Sequence, residues 1–460
     1  MTLFGYDQGV FSGVVVTQDF LNILDLAGPS KTQVLSTVTA IYDVGYFLGA
    51  IVAFGLGERL GRKKAILWGT SIMAIGRVVL GLGNGINTAT APIWQTETST
   101  AKWRGKLVIL EMWTNIGGFM LVNWINYGLS FAGGAIAWRF LLALQFIFIF
   151  ILWVTVPWLP ESPRTLYEDI SFSIEYERQN AMRWRDIFRH PEGNNTKPLR
   201  HLLLGAGTQF IQQFEGINIM SYYLPTALES VIDLSNSMAR LISAANASVY
   251  FIFSGAAVPL VERMGRRGLM MMSTAGQGLA LLIITILLAI TERTSNSTYS
   301  SASVDFFFVF YIFFGLGMLG VPWLYPRRSA RFPCAPKPLQ CQQQQIGCRI
   351  TNFVIVEITP IGIQNIGWKF WIVWSIFNVI FLLDIYFFYP ETANRTLEDM
   401  DAYYRSNPSL VVSSDLDAIS VKRPSKYIEN EEEIIRQTVC VTGISAKEIG
   451  EEAFEHVEGA

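Results

Sequence analysis

The sequence predicts an all-α polytopic membrane protein built as two parallel halves. Three observations predict it. Only 16% of the 460 residues are charged and 51% are hydrophobic, whereas a soluble domain carries about a quarter charged residues. Apolar runs of about 20 residues, each long enough to cross a bilayer, recur along the chain. A charged turn in the first half also returns in the second. Gly57-Glu58-Arg59-Leu60-Gly61-Arg62-Lys63 is echoed by Val261-Glu262-Arg263-Met264-Gly265-Arg266-Arg267, and Pro160-Glu161-Ser162 by Pro390-Glu391-Thr392.

Hydropathy places apolar segments at 3–16, 35–56, 65–98, 107–129, 136–157, 199–224, 238–260, 268–290, 304–325, 350–363 and 368–389. The first has no basic stretch before it, so it does not read as a cleavable signal peptide; beginning at Met1, it is about half a span short. Residues 1–157 are expected to form an N-terminal bundle, 158–198 a cytoplasmic loop, 199–389 a C-terminal bundle and 390–460 a mostly disordered cytoplasmic tail. The basic clusters ERLGRKK (58–64), KWRGK (102–106), RQNAMRWRDIFRH (178–190) and ERMGRRG (262–268) belong on the cytoplasmic side, with both termini. The loop 291–303 then lies outside, where Asn296-Ser-Thr is a glycosylation acceptor pattern. Four cysteines in such a chain make no disulfide framework. Composition excludes a soluble enzyme. Nothing resembles a nucleotide loop, a metal site or a nucleophile constellation, so no cofactor, metal or nucleic acid is expected.

One stretch breaks the alternation of sides. Both ERLGRKK and KWRGK call for the cytoplasm, yet only residues 65–101 separate them, and two minimal spans with a turn need roughly 36 residues. Either this is a cramped hairpin or a piece is missing. The repeat measures the same deficit. Glu58 to Glu161 is 103 positions and Glu262 to Glu391 is 129, so the first half is 26 shorter, about one helix and a turn. A single basic turn is an ordinary cytoplasmic anchor. Two echoing pairs in matching order describe parallel repeats, a common transporter build.

The motifs FGYDQGVFSG (4–13), GERLGRKK (57–64), GRVVLGLGNG (76–85), ETSTAKWRGKLV (97–108), PESPR (160–164), QFIQQFEGINIMSYYLP (209–225), VERMGRRG (261–268), VPWLYP (321–326) and PETANRTLEDMD (390–401) together resemble the fungal sugar porter family of the major facilitator superfamily. The resemblance covers about positions 4 to 401. It implies the major facilitator fold, with twelve helices in two six-helix bundles around a midplane site open alternately to each side. Here about ten or eleven full spans are expected, because 65–101 looks like the family's third helix fused to the end of its fourth.

The stretch PRRSARFPCAPKPLQCQQQQIGCR (326–349) departs from the family, which continues from PWLYP into an acidic-then-basic turn and an NWxxNF helix. Codons can be chosen for 326–347 whose reading from the third base spells AEISALPMRTKAAAVPTATNW, the missing family segment. Residues 327–349 are therefore read as translated out of frame. The rival reading is a basic loop with a Cys-x6-Cys-x6-Cys metal site, a spacing that fits none of the usual zinc patterns.

Asp7 lies in the first span, where an ionisable group is costly and usually functional. The resemblance pairs it with Arg77 for proton coupling; an ion pair that only fixes helix packing is the alternative. Gln209, Gln212 and Gln213 share a helix face by their offsets of 3 and 4. With Asn218 they supply amides that both donate and accept, as vicinal sugar hydroxyls require. The resemblance assigns these four positions, Trp323 and Asn352 to sugar binding. The amides would equally suit helix–helix hydrogen bonding, and Trp323 an interfacial anchor. Two departures bear on specificity. Met112, preceded by Glu111, stands where the family often has glutamine, and Glu215 replaces a small polar residue. Glu58, Arg59, Arg62, Glu97, Arg104, Glu161, Arg164, Glu262, Arg263, Arg266 and Glu391 are expected to form cytoplasmic ion pairs across the bundles that open as the carrier turns inward.

The expected function is alternating-access transport of a hexose or pentose with protons, by a monomer in the plasma membrane. The alternatives are a transporter-like sugar sensor and the non-functional product of a damaged gene.

Overall fold

Two long helices of the N-terminal half, α3 (Thr32–Leu60) and α4 (Arg77–Thr98), run side by side in the same direction. The Asn84 amide donates to the Tyr42 hydroxyl, and four residues further along each helix Tyr46 meets Thr88. Partners that advance together mark parallel helices, so the chain returns to the starting side of α3 between residues 60 and 77. The computed structural model describes residues 1–23, 28, 31–60, 77–98, 101–159, 198–329, 337–395, 397–406 and 408–429, and the connection 61–76 lies outside them. The half is completed by α1 (Thr2–Val14), the short α2 (Gln18–Ile23), α5 (Ala101–Ser130), α6 (Gly134–Ala143) and α7 (Gln145–Thr155). At 1.5 Å per residue the thirteen residues of α1 extend about 20 Å, short of a hydrocarbon core of about 30 Å.

The C-terminal half contains two broken helices. α8 (Pro198–Gln212) passes through a widened π turn, Gln213–Ile217, into α9 (Asn218–Ser230). α12 (Ser297–Leu316) breaks at 317–320 before α13 (Val321–Ser329). Unbroken helices α10 (Asn236–Arg263), α11 (Gly265–Thr294), α14 (Lys337–Ile366) and α15 (Phe370–Phe388) surround them. The backbone of 337–349 continues α14 toward its N-terminus, so this helix starts well before the apolar segment at 350. The core is aromatic: Phe307, Phe310, Phe314, Trp371 and Trp374 are all buried. In lipid such a core is held by close packing and not by release of water.

Among the described residues, seven stretches are long and apolar enough to cross a membrane, and no strand occurs. Their outer faces are greasy where no helix covers them, as at Phe146, Phe150 and Trp153 on α7 and Ile376, Val379 and Leu383 on α15. The bundles meet through α1 against α9, α3 against α14 and α5 against α10. At the last of these pairs Trp113 stacks on Phe251 at 4.8 Å and donates to its carbonyl at 3.0 Å.

The tail differs from its expectation. Residues 397–429 carry α16 (Leu397–Arg405) and α17 (Leu416–Ile419) around a small core of Met400, Tyr403, Tyr404, Val412, Ala418 and Tyr427. The Val412 amide donates to Phe387 at 2.7 Å, and Arg200 donates to the carbonyls of Pro408, Ser409 and Leu410. The average polarity of 390–460 hides these apolar positions. Residues 430–460 lie outside the described ones.

Candidate functional site

The break in the seventh span is built by Gly216, whose φ of 105° lies in the left-handed region that side chains with a Cβ avoid. Pro225 inside α9 removes a further backbone donor. The widened turn separates the four expected amides into two pairs. Gln209 and Gln212 face the broken junction of α12 and α13. Gln209 donates to Pro322 at 2.8 Å, whose carbonyl would otherwise face Pro326, which has no N–H, and Gln212 donates to Met318 at 2.7 Å and Leu319 at 3.2 Å in the break. Their N–H groups are thus engaged in packing, while the Gln209 Oε1 has no partner in the described structure. Gln213 and Asn218 form the second pair, with Asn218 donating to Gln213 at 2.6 Å. Trp323, on α13, is half-buried against the core.

Asn352 lies midway along α14 and reaches the other bundle. Its Nδ2 is 3.0 Å from both carboxylate oxygens of Asp43 on α3. Asp43 was legible by the rule that singled out Asp7, because AIYDVGY is also an apolar run holding one acid. Asp7 accepts from Asn84 at 2.8 Å, which makes Asn84, and through it Tyr42, members of the same polar group. The Arg77 side chain lies outside the described ones. Met112 is buried in the apolar core. Glu215 accepts from Thr274 at 2.6 Å and Gln277 at 3.1 Å on α11, so its carboxylate braces the helix break within the C-terminal bundle.

The charged turns divide differently from their expectation. Glu391 does not bridge the bundles. Its carboxylate accepts from the backbone amides of Arg266, Arg267, Thr392 and Ala393 at 2.8–3.0 Å, capping α11 within its own bundle. Gly265, at φ 77°, permits this: a Cβ there would lie 2.3 Å from Glu391 Oε2. Glu262 does bridge, to Lys106 on α5 at 3.3 Å. Arg263 is exposed. The side chains of Glu58, Arg59, Glu97 and Arg104, and residues Arg62, Glu161 and Arg164, lie outside the described ones. Asn296 caps α12 by accepting from the Thr298 amide.

The opposite end of the interface holds a cluster that sequence reasoning missed. Arg240 of α10 is 4% exposed. It donates to Asn236 at 2.8 Å, to Asn126 of α5 at 2.8 Å and to Thr17 beyond α1 at 3.1 Å. Asn236 in turn donates to Glu229 of α9. Near this end Ser36 and Thr37 donate to Glu357 of α14.

The family described as "Sugar (and other) transporter" matches residues 1–171 and 168–404. The chain is 58% identical over 504 residues to the MFS-type transporter oryC of Aspergillus oryzae, covering 100% of this chain and 93% of that protein. It is 31% identical to the Sugar transporter STL1 of Saccharomyces cerevisiae over 88% of this chain and 79% of that protein. The oryC alignment is longer than the 460 residues present here, so the relative carries stretches without counterpart in this chain. Among solved structures, the proton:xylose symporter XylE bound to 6-bromo-6-deoxy-D-glucose superposes with a TM-score of 0.71 at 19% identity, covering 88% of this chain and 96% of that one.

Proposed function

Because the chain belongs to the fungal sugar porter family of the major facilitator superfamily, and so is a membrane transporter and no enzyme, we propose that it carries a monosaccharide across the plasma membrane by alternating access, driven by protons. The observation that carries this reading is the group of polar side chains inside the two bundles: Gln213 with Asn218 across the helix break, and Asn352 bonded to Asp43 of the other bundle. Amides and acids are costly in an oily interior unless a hydrophilic solute uses them. When the bundles part, these amides meet sugar hydroxyls as donors and acceptors, and the flat apolar ring of Trp323 covers a C–H face of the pyranose.

Protonation of Asp7 weakens its hold on Asn84, and would release the Arg77 that the family resemblance pairs with it, and so changes which end of the interface can close. The end bearing Lys106, Glu262 and Glu391 is cytoplasmic, as the basic turns require, and the ion pairs of that end open as the carrier turns inward. The end bearing Thr17 and Arg240 faces outside, as does the exposed Asn296 at the start of α12. The carrier acts as a monomer.

The test is uptake of labelled hexoses and pentoses by the full chain in vesicles, with the external pH recorded. Sugar entering with a matching alkalinisation outside is expected. No uptake and no binding of any sugar, with or without a proton gradient, refutes the reading.

A further inference from the structure

The contacts of α3 with α14 form an antiparallel ladder. Ser36 and Thr37 meet Glu357. Ala40 packs with Val356, Tyr222 and Tyr223 in an apolar rung. Asp43 then meets Asn352. Asp43 and Asn352 are each 1% exposed, and the apolar rung lies between them and the Thr17 end. The Asn352 amide spends its donor on Asp43, while its Oδ1 is buried and unpartnered in the described structure. A buried carbonyl left bare is costly.

A solute with two adjacent hydroxyls supplies the partner that Asn352 Oδ1 lacks and can join its bond to Asp43. One hydroxyl donates to the Asp43 carboxylate and accepts from Asn352 Nδ2; its neighbour donates to Asn352 Oδ1. A carboxylated solute cannot do the same, because its negative charge would face that of Asp43 in a low-dielectric site. Resting on the sugar-carrier reading, we propose that Asp43 is a specificity-determining residue, which binds a vicinal diol of a neutral polyhydroxylated solute together with Asn352 and excludes carboxylated analogues.

The experiment compares glucose with gluconate, and with glucuronate, in vesicles containing the full chain or Asp43→Asn. The wild type is expected to take up glucose and neither acid. In Asp43→Asn, loss of one charge-assisted hydrogen bond raises the glucose KM about tenfold, and the ratio of glucose to acid kcat/KM falls by at least that factor. A pair that merely ties the bundles together predicts parallel losses for all solutes and an unchanged ratio; that result overturns the proposal. If Asp43→Asn is not recovered folded by size exclusion, Asp43→Glu decides. It keeps the charge, so it must still exclude both acids while its glucose KM shifts, and acid uptake by that variant overturns the proposal. Acid uptake by the wild type overturns it directly. A wild type that neither carries nor binds any of these solutes, or their pentose counterparts, refutes the carrier reading itself.

Discussion

The two ends of the α5–α10 contact are tied by different kinds of bond. At one end Arg240 is dry and donates to three side chains, on α10 itself, on α5 and beyond α1. At the other, Lys106 and Glu262 form one ion pair at 3.3 Å with side chains 33% and 53% exposed. The same two helices supply both ties, so sequence distance and helix type do not distinguish them. Burial does. A surface pair in water contributes about 0–1 kcal/mol, whereas removing one partner of a buried charged network costs about 3–5 kcal/mol. Among the described residues, the interface is therefore held by a buried lock at the Thr17 end and by an exposed pin at the other.

The largest expected effect comes from breaking the lock. Arg240→Ala leaves Asn126, Asn236 and Thr17 without their shared donor, at a cost of about 3 kcal/mol. A cysteine placed at the buried Asn123 of α5 should then become reactive to aqueous thiol reagents, and thermal unfolding should occur at lower temperature. Unchanged reactivity would mean that the lock does not hold this end. Next comes the helix break. α9 carries Glu229 and Tyr222 to the same end, and Gly216 lets it diverge from α8. Gly216→Ala forces a Cβ into a left-handed backbone, at about 1–2 kcal/mol. It should slow uptake and expose the Thr17 end, leaving the Lys106 end as it was.

Much of this comparison was hidden from the sequence, for physical reasons. Hydropathy located α10, α11 and α15 to within a few residues, because lipid contact demands a continuous apolar surface. It cannot say which polar side chains meet. Arg240 reads as a basic residue at the edge of a span, and its partners Asn126 and Thr17 are 114 and 223 positions away. The shared face of Gln209 and Gln212 was legible from their spacing, but not that it fronts the broken carbonyls of 318–322. The break itself is invisible to hydropathy, since one glycine in an apolar run changes nothing in the average. Glu391 and Arg266 were both expected among ion pairs across the bundles, yet the bond runs from the Glu391 carboxylate to backbone amides within one bundle, which no count of side-chain charges reveals. Asp43 alone was within reach, by the reasoning applied to Asp7.

Glu391→Ala tests whether the Lys106 end owes its order to that intrabundle cap. It removes an acceptor of backbone amides at the start of α11, worth about 1–2 kcal/mol as a charged helix cap. Thermal stability should fall, while the cysteine at Asn123 stays protected, because the cap does not cross the interface. Reactivity at Asn123 would show that the two ends are mechanically linked through α11.

Lys106→Gln should have the smallest effect. Both partners of its ion pair keep contact with water, so the Coulomb gain is divided by a high dielectric and offset by the entropy of holding two long side chains. A loss of about 0.5 kcal/mol is expected, vanishing in 1 M salt, where the screening length shrinks to about 3 Å. Uptake rates in low and high salt should therefore converge for wild type and variant. Arg240→Ala should show no such convergence, because a buried network is screened far less than an exposed pair. If salt rescued Arg240→Ala as well, the lock would be as wet as the pin, and the asymmetry between the two ends would be lost.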